Sequence, residues 1–381
     1  MNDLRKIRFP EATRAATVQP PVIPIVGEWT QDNPGTISLG QGVVSWGPPE
    51  TAYEGIDRFR EDVENHKYKL AQGIPPLLDL IGEKLKDENG INVDPKDRVF
   101  VTAGANMAFI NAVLAIADVG DEFILPAPFY FNHEMAVTML GCTPVVAPTD
   151  KNHQLDLDAL RLAITERSRA IVTISPNNPS GVVYPKKDLQ AVTALCREFG
   201  LFHISDEAYE YFTFDGASHF SPGSAKDVDE HVISLFSLSK AYGFASWRIG
   251  YMVTPPQLID AVKKIQDTNL ICPPVVSQFA ALEAIRTGQA YCEEKLTKVR
   301  DVRNLVIERL AGWEKFATIA PAKGAFYFLL KIKTGLDSLS VTQRLIEEYK
   351  VAVIPGSAFG LTENCFLRIA YGVLDRSTCQ E

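Results

Sequence analysis

Lys240 follows the apolar run VISLF, with Ser237 three residues before it and Arg248 eight residues after it. An amine held in a partly dry crevice loses proton affinity and becomes a nucleophile toward carbonyl carbon. A serine hydroxyl and a two-pronged guanidinium beside it would grip a phosphate. The plain alternative is a strand that has ended and a solvated lysine, because lysine is almost never fully buried unless paired.

Asp206 closes a second apolar run, LFHIS. A buried carboxylate there needs a cationic partner. A protonated ring nitrogen of a bound heterocycle would serve, its charge favoured by the carboxylate; an aspartate that N-caps the next helix explains the segment equally well. Tyr209, three residues later, offers a phenol to a ring oxygen. Gly104, Ala105 and Asn106 follow the run RVFVTA and open a helical stretch, where free N–H groups and the positive end of a helix dipole would meet a phosphate. Many βα turns carry a glycine for no such reason. Residues 175–181, SPNNPSG, form a turn on any reading. Within it Asn178, held by Pro179 through a cis or a trans bond, can aim its amide into a crevice. A lysine, phosphate-binding groups, a carboxylate for a ring nitrogen and a phenol together describe pyridoxal 5'-phosphate bound as a Schiff base.

The elements that must position these side chains are legible around them. From about residue 98 the runs RVFVTA, EFILPAP, TPVVAPT, AIVTIS and LFHISDE alternate with helical stretches after Gly104 and near 131–140, 156–165 and 186–199. That rhythm predicts βαβ units and an α/β fold with a largely parallel sheet covered on both faces. Ligands of such sheets bind outside the carboxyl ends of the strands, which is where Gly104, Tyr130, Asn178, Asp206 and Lys240 fall. Outside this region lie a proline-rich N-terminal arm (Pro20, Pro21, Pro24), the turn-rich GQGVVSWGPPE, and a C-terminal part from about residue 290. The last opens with an amphipathic helix, QAYCEEKLTKVRDVRNLVIERL, and continues through the strand-like runs GAFYFLLKI and CFLRIAYG. A smaller α+β domain built from both chain ends is expected. The boundaries are residues 1–47 for the arm and part of that domain, 48–285 for the large domain, and 286–381 for the rest of the small one.

The 381 residues are 46% hydrophobic and 22% charged, ordinary for a packed chain of this length. A net charge of -9 and the lack of a dense basic run argue against a nucleic-acid partner. Six scattered cysteines with no His/Cys cluster suggest neither a disulfide framework nor a metal site, and fit a reducing cytoplasm. The opening MNDLRKIRFPEATRA has no apolar signal core. Nor is there an apolar run of about 18 residues, so no membrane partner is expected.

In order and spacing, SLGQGVVSWGPPE, KYKLAQGIPPLLDLIGEKL, VTAGANMAF, LPAPFY, SPNNPSGVVYP, SDEAYEYF, SLSKAYGFASWRIGY, GAFYF and CFLRIAYG resemble the fold-type I pyridoxal-phosphate enzymes. Within them the chain is similar to the class I/II aminotransferases of the aspartate, aromatic and kynurenine aminotransferase group. The resemblance implies that family's seven-stranded, mostly parallel sheet between helices. It puts Lys240 on the Schiff-base lysine, Asp206 on the partner of the ring nitrogen, and Asn178 and Tyr209 on the groups bonding the ring oxygen. Ala105, Asn106, Ser237 and Arg248 match the phosphate cup, and Tyr130 the aromatic stacked on the ring. Tyr68 matches a tyrosine reaching the neighbouring subunit's phosphate, which implies a homodimer with shared sites. Arg368 matches the clamp on the substrate carboxylate, otherwise a surface arginine, and Gly42 a backbone position lining the same pocket. The implied reaction moves an amino group between an L-amino acid and a 2-oxo acid by a ping-pong route, with Lys240 as general base.

Two departures bear on substrate. Some members that prefer dicarboxylates carry lysine at the position of Asn106, so the neutral GANMAF favours neutral or aromatic side chains, although an arginine from elsewhere could still meet a dicarboxylate; SWGPP replaces the more usual PDFPPP at the pocket entrance. The family also continues past RIAYG into a long final helix, whereas this sequence ends at VLDRSTCQE, from which a looser small-domain closure is expected. On the same fold, a C–S lyase, a decarboxylase or another eliminating enzyme is the alternative chemistry, and a cofactor-binding regulatory module the non-enzymatic one.

Overall fold

In the computed structural model, which describes residues 11–379, the runs read as strands from residue 98 onward assemble into one sheet. The first ten residues of the expected arm and the last two of the chain lie outside the described residues. The strands in chain order are β1 (Ile37–Ser38), β2 (Val99–Thr102), β3 (Glu122–Pro126), β4 (Thr143–Ala147), β5 (Ser168–Ile174), β6 (Phe202–Asp206), β7 (Val232–Ser237), β8 (Gly250–Val253), β9 (Ala317–Ile319), β10 (Tyr327–Ile332), β11 (Val351–Ala352), β12 (Ile354–Pro355) and β13 (Cys365–Ala370).

The large sheet has the order β2-β8-β7-β6-β5-β3-β4. Only β8 runs against its neighbours; the others share one direction. Its inner strands are buried along almost their whole length because helices cover both faces, which is why they read as unbroken apolar runs. The edge strand β4 is more exposed and carries Pro144, tolerated where a strand is paired on one side only.

Helices Ala105–Ile116, Phe131–Met139 and Lys186–Phe199 fall where the sequence puts them. The helix expected near 156–165 covers only Leu157–Leu162. Asp156 starts it, its carboxylate accepting from the Ala159 N–H at 3.0 Å, while Thr165 has already left to bond Glu122 on β3.

Both chain ends contribute to a second body of structure. β12-β13-β10-β9 form an antiparallel sheet, and β1 pairs in parallel with β11, Ile37 opposite Val351. Helix Val22–Asp32 packs on helix Ser338–Tyr349 through Val22, Val26 and Ile346. Helix Val22–Asp32 is not legible in the sequence, since its prolines read as an arm. Pro21 precedes it and Pro24 sits in its first turn, where a missing N–H costs no intrahelical bond. The expected amphipathic helix spans Gly288–Leu310, anchored by buried Arg303 on Asp215 Oδ2 at 2.6 Å and Ala322 O at 2.8 Å. Among the described residues no helix is long and apolar enough to cross a membrane.

Candidate active site

The carboxyl ends of β2, β3, β5, β6 and β7 open on one cleft. Ala105, Asn106, Tyr130, Asn178, Asp206, Tyr209, Ser237, Lys240 and Arg248 line it. Gly104 stands behind this wall rather than in it, and Tyr68, 78% exposed, lies elsewhere on the surface.

Lys240 Nζ donates to Gly42 O at 2.6 Å. Loss of water around the amine, followed by the charges of Arg368 and Arg248, brings its pKa down to about 8, with Asp206 pulling the other way. Gly42 is needed as glycine, because a side chain there would strike the Tyr327 hydroxyl.

Asp206 is buried at the end of β6. Its Oδ1 accepts from the Ala208 N–H at 3.0 Å and its Oδ2 lies 3.1 Å from His133 Nε2. No helix follows it, so the N-cap reading gives way to a turn whose backbone the carboxylate only partly satisfies. His133, which the sequence reading did not single out, stacks on Phe109 with ring centres 4.1 Å apart and leaves Nδ1 without a partner among the described residues. Its one sequence signal is its place three residues after Tyr130, in the first turn of the helix that Tyr130 precedes.

The turn 175–181 is tied by Asn177, whose Oδ1 accepts from Ser180 N and Oγ, and the bonds before Pro176 and Pro179 are cis. Asn178 Nδ2 donates to Tyr209 OH at 3.3 Å, while its Oδ1 accepts from Arg368 Nη1 at 2.9 Å. Arg368, from the middle of β13, is 2% exposed. Its guanidinium also donates to Gly40 O and lies between the rings of Tyr327, 4.7 Å away, and Phe359, 5.1 Å away. No carboxylate pairs with it among the described residues, and its Nε has no partner there. A guanidinium so buried calls for an anion. Tyr327 belongs to the strand-like run GAFYFLLKI and to the family motif GAFYF, but nothing in the sequence places it against residues 42, 209 and 368.

At the far end of the cleft, Gly104 caps helix Ala105–Ile116 with φ of 80° and no side-chain cap, leaving first-turn N–H groups free. The space beside it is filled by the Arg248 guanidinium, which no side chain at 104 would permit. Arg248, itself at φ of 58°, donates to Ala103 O at 3.1 Å and Ala245 O at 2.8 Å. Ser237 Oγ accepts from Ser239 N at 3.1 Å. Asn132 donates to the phenol of Tyr130, and burial raises that phenol's pKa.

A cationic seat at a helix N-terminus, a buried carboxylate at a strand end, an amide and phenol pair, and an amine of low proton affinity form a donor set that fits pyridoxal phosphate. The unpaired Arg368 beyond it fits a substrate carboxylate.

Residues 34–381 match the family model "Aminotransferase class I and II". The chain is 34% identical over 363 residues to an aromatic-amino-acid aminotransferase of Thermococcus litoralis, covering 94% of this chain and 92% of that one. It is 35% identical over 339 residues to an aspartate aminotransferase of Pyrococcus abyssi, covering 88% and 87%. The solved structure of Thermus thermophilus aspartate aminotransferase with maleate superposes at a TM-score of 0.90, with 30% identity over 98% of this chain and 97% of that one.

Proposed function

The chain belongs to the class I and II aminotransferases, and from that premise we propose which of its residues carry the reaction and on what substrates. The enzyme is a pyridoxal-phosphate-dependent aminotransferase that moves an amino group between an amino acid and a 2-oxo acid. The cofactor, when bound, supplies an aldehyde to carry the amino group and an electron-poor ring to spread the charge left at the α-carbon.

Lys240 Nζ holds the cofactor and, when free, takes and returns the substrate α-proton; a pKa near 8 keeps part of it neutral at physiological pH. Asp206, steadied by His133, holds a proton on the ring nitrogen. Asn178 and Tyr209 bond the ring oxygen, Tyr130 covers a ring face, and Ala105, Asn106, Ser237 and Arg248 hold the phosphate. Arg368 clamps the α-carboxylate in the space that Gly42 keeps open. The observation that carries this reading is the single cleft shared by Lys240, Asp206, Asn178 and Arg248.

The donor is an amino acid with a neutral or aromatic side chain. The cations lining or bordering the cleft, Lys240, Arg248 and Arg368, each have a task, and Asn106 adds no charge for a distal carboxylate. The working form is a homodimer in the cytoplasm. Tyr68 has neighbours in sequence that are exposed and apolar, Val63 and Leu70, which suits a face buried against a second copy lending Tyr68 to its site. Six unpaired cysteines suit a reducing compartment. Residues 48–285 form the large domain, with 1–47 and 286–381 making the arm and the small domain.

Borohydride reduction of the yellow protein followed by peptide mapping should place a pyridoxyl label on Lys240. A panel of amino donors against pyruvate and 2-oxoglutarate should give oxo acid without ammonia, fastest for aromatic or other neutral donors. A label elsewhere, or ammonia release, would overturn the assignment.

A further inference from the structure

Tyr327 opens β10 and is wholly buried. Its hydroxyl lies 2.7 Å from Tyr209 OH, and its ring supports the Arg368 guanidinium. The Tyr209 oxygen therefore has two neighbours able to donate to it, Tyr327 OH and Asn178 Nδ2. The Asn178 amide cannot be turned round, because its Oδ1 is committed to the Arg368 Nη1 donor.

A phenol donates one hydrogen bond and accepts up to two. Were Tyr209 to donate to Tyr327, the Tyr327 hydrogen would be left without an acceptor among the described residues, buried and unmet. With Tyr327 as donor, both acceptor positions of Tyr209 are filled and its own hydrogen is the one left over, free to face the cleft. Burial lifts the Tyr209 phenol well above its ordinary pKa and that of Tyr327 to about 12, so both keep their hydrogens at neutral pH.

We infer that Tyr327 is a positioning residue that donates to Tyr209, thereby turning the Tyr209 hydrogen toward the ring oxygen of the bound cofactor and strengthening that bond. Hydrogen bonds in series polarise one another, so the second phenol makes the first a better donor. A better donor stabilises negative charge on the ring oxygen and lowers proton affinity next to it. The inference rests on the cofactor reading above.

The test is a pH titration of the visible absorbance of cofactor-loaded protein without substrate, in the wild type, Tyr327→Phe, Tyr209→Phe and the double variant. Tyr327→Phe keeps the ring against Arg368 and should raise the midpoint by about half a pH unit. Tyr209→Phe should raise it further, and the double variant should match Tyr209→Phe alone, because Tyr327 acts only through Tyr209. An unmoved or lowered midpoint in Tyr327→Phe, or additive rises in the double variant, overturns the inference. Wild-type protein with no titrating band and no pyridoxyl label on Lys240 would instead overturn the cofactor reading itself.

Discussion

Two lysines of this chain are drawn out of bulk water with opposite results. Lys84 lies 2.9 Å from Glu210 Oε1 and 3.4 Å from Glu88 Oε2, and donates to Asn89 Oδ1 at 3.0 Å. Burial works against its charge, but Glu210, the Tyr251 phenol and Glu88 outweigh it and hold its pKa well above the ordinary value. Lys240 meets a backbone carbonyl instead, and burial together with two arginines takes it down to about 8. Dehydration alone therefore selects no chemistry. The sign of the surrounding charge decides whether an amine becomes a fixed cation or a base.

The contrast breaks most visibly at turnover. Lys240→Ala should lower kcat for transamination at least about a thousandfold, and a variant near wild-type rate would remove Lys240 from the reaction. Lys84→Met should act on folding instead, leaving Glu210 and Glu88 without their cation at a cost of about 3–5 kcal/mol. Urea unfolding measures this, and a loss below about 1 kcal/mol would mean the pair is not the fixed ion that its contacts describe.

A titration sharpens the comparison further. In cofactor-free protein only the neutral amine reacts with an acylating probe, so labelling of Lys240 should rise with pH through a midpoint near 8 while Lys84 stays unlabelled over the same range. A Lys240 midpoint at the ordinary lysine value of about 10.4 would erase the difference. The smallest effect concerns the third buried cation. Arg368→Lys keeps the charge but removes the fork that the proposed clamp on the substrate carboxylate requires, and should raise KM for the amino donor about tenfold with a lesser change in kcat. An unchanged KM would mean that the carboxylate binds elsewhere.

Legibility in the sequence followed the same physics. Strands β2, β3, β5, β6 and β7 were readable because a sheet covered on both faces demands apolar runs, and Asp206 and Lys240 stood out as charges at the ends of such runs. Helix Val22–Asp32 was hidden by prolines that its first turn tolerates. His133 and Tyr327 were hidden for another reason. An aromatic residue in an apolar run looks like core, and nothing local marks a hydroxyl that meets its partner 118 residues away. The resemblance to a known family supplied Arg368 and Gly42, whose meeting across Tyr327 is a fact of packing.

Gly104 and Arg248 occupy each other's space, and this interlock constrains how the anion seat can change. A methyl group at 104 would evict the guanidinium. A bulky replacement at 248 would keep a left-handed backbone, which few side chains accept, while losing the bonds to Ala103 and Ala245 that secure it. A side chain at 104 would have to displace the guanidinium and also adopt a left-handed backbone at φ of 80°, so position 104 is the more tightly held of the two.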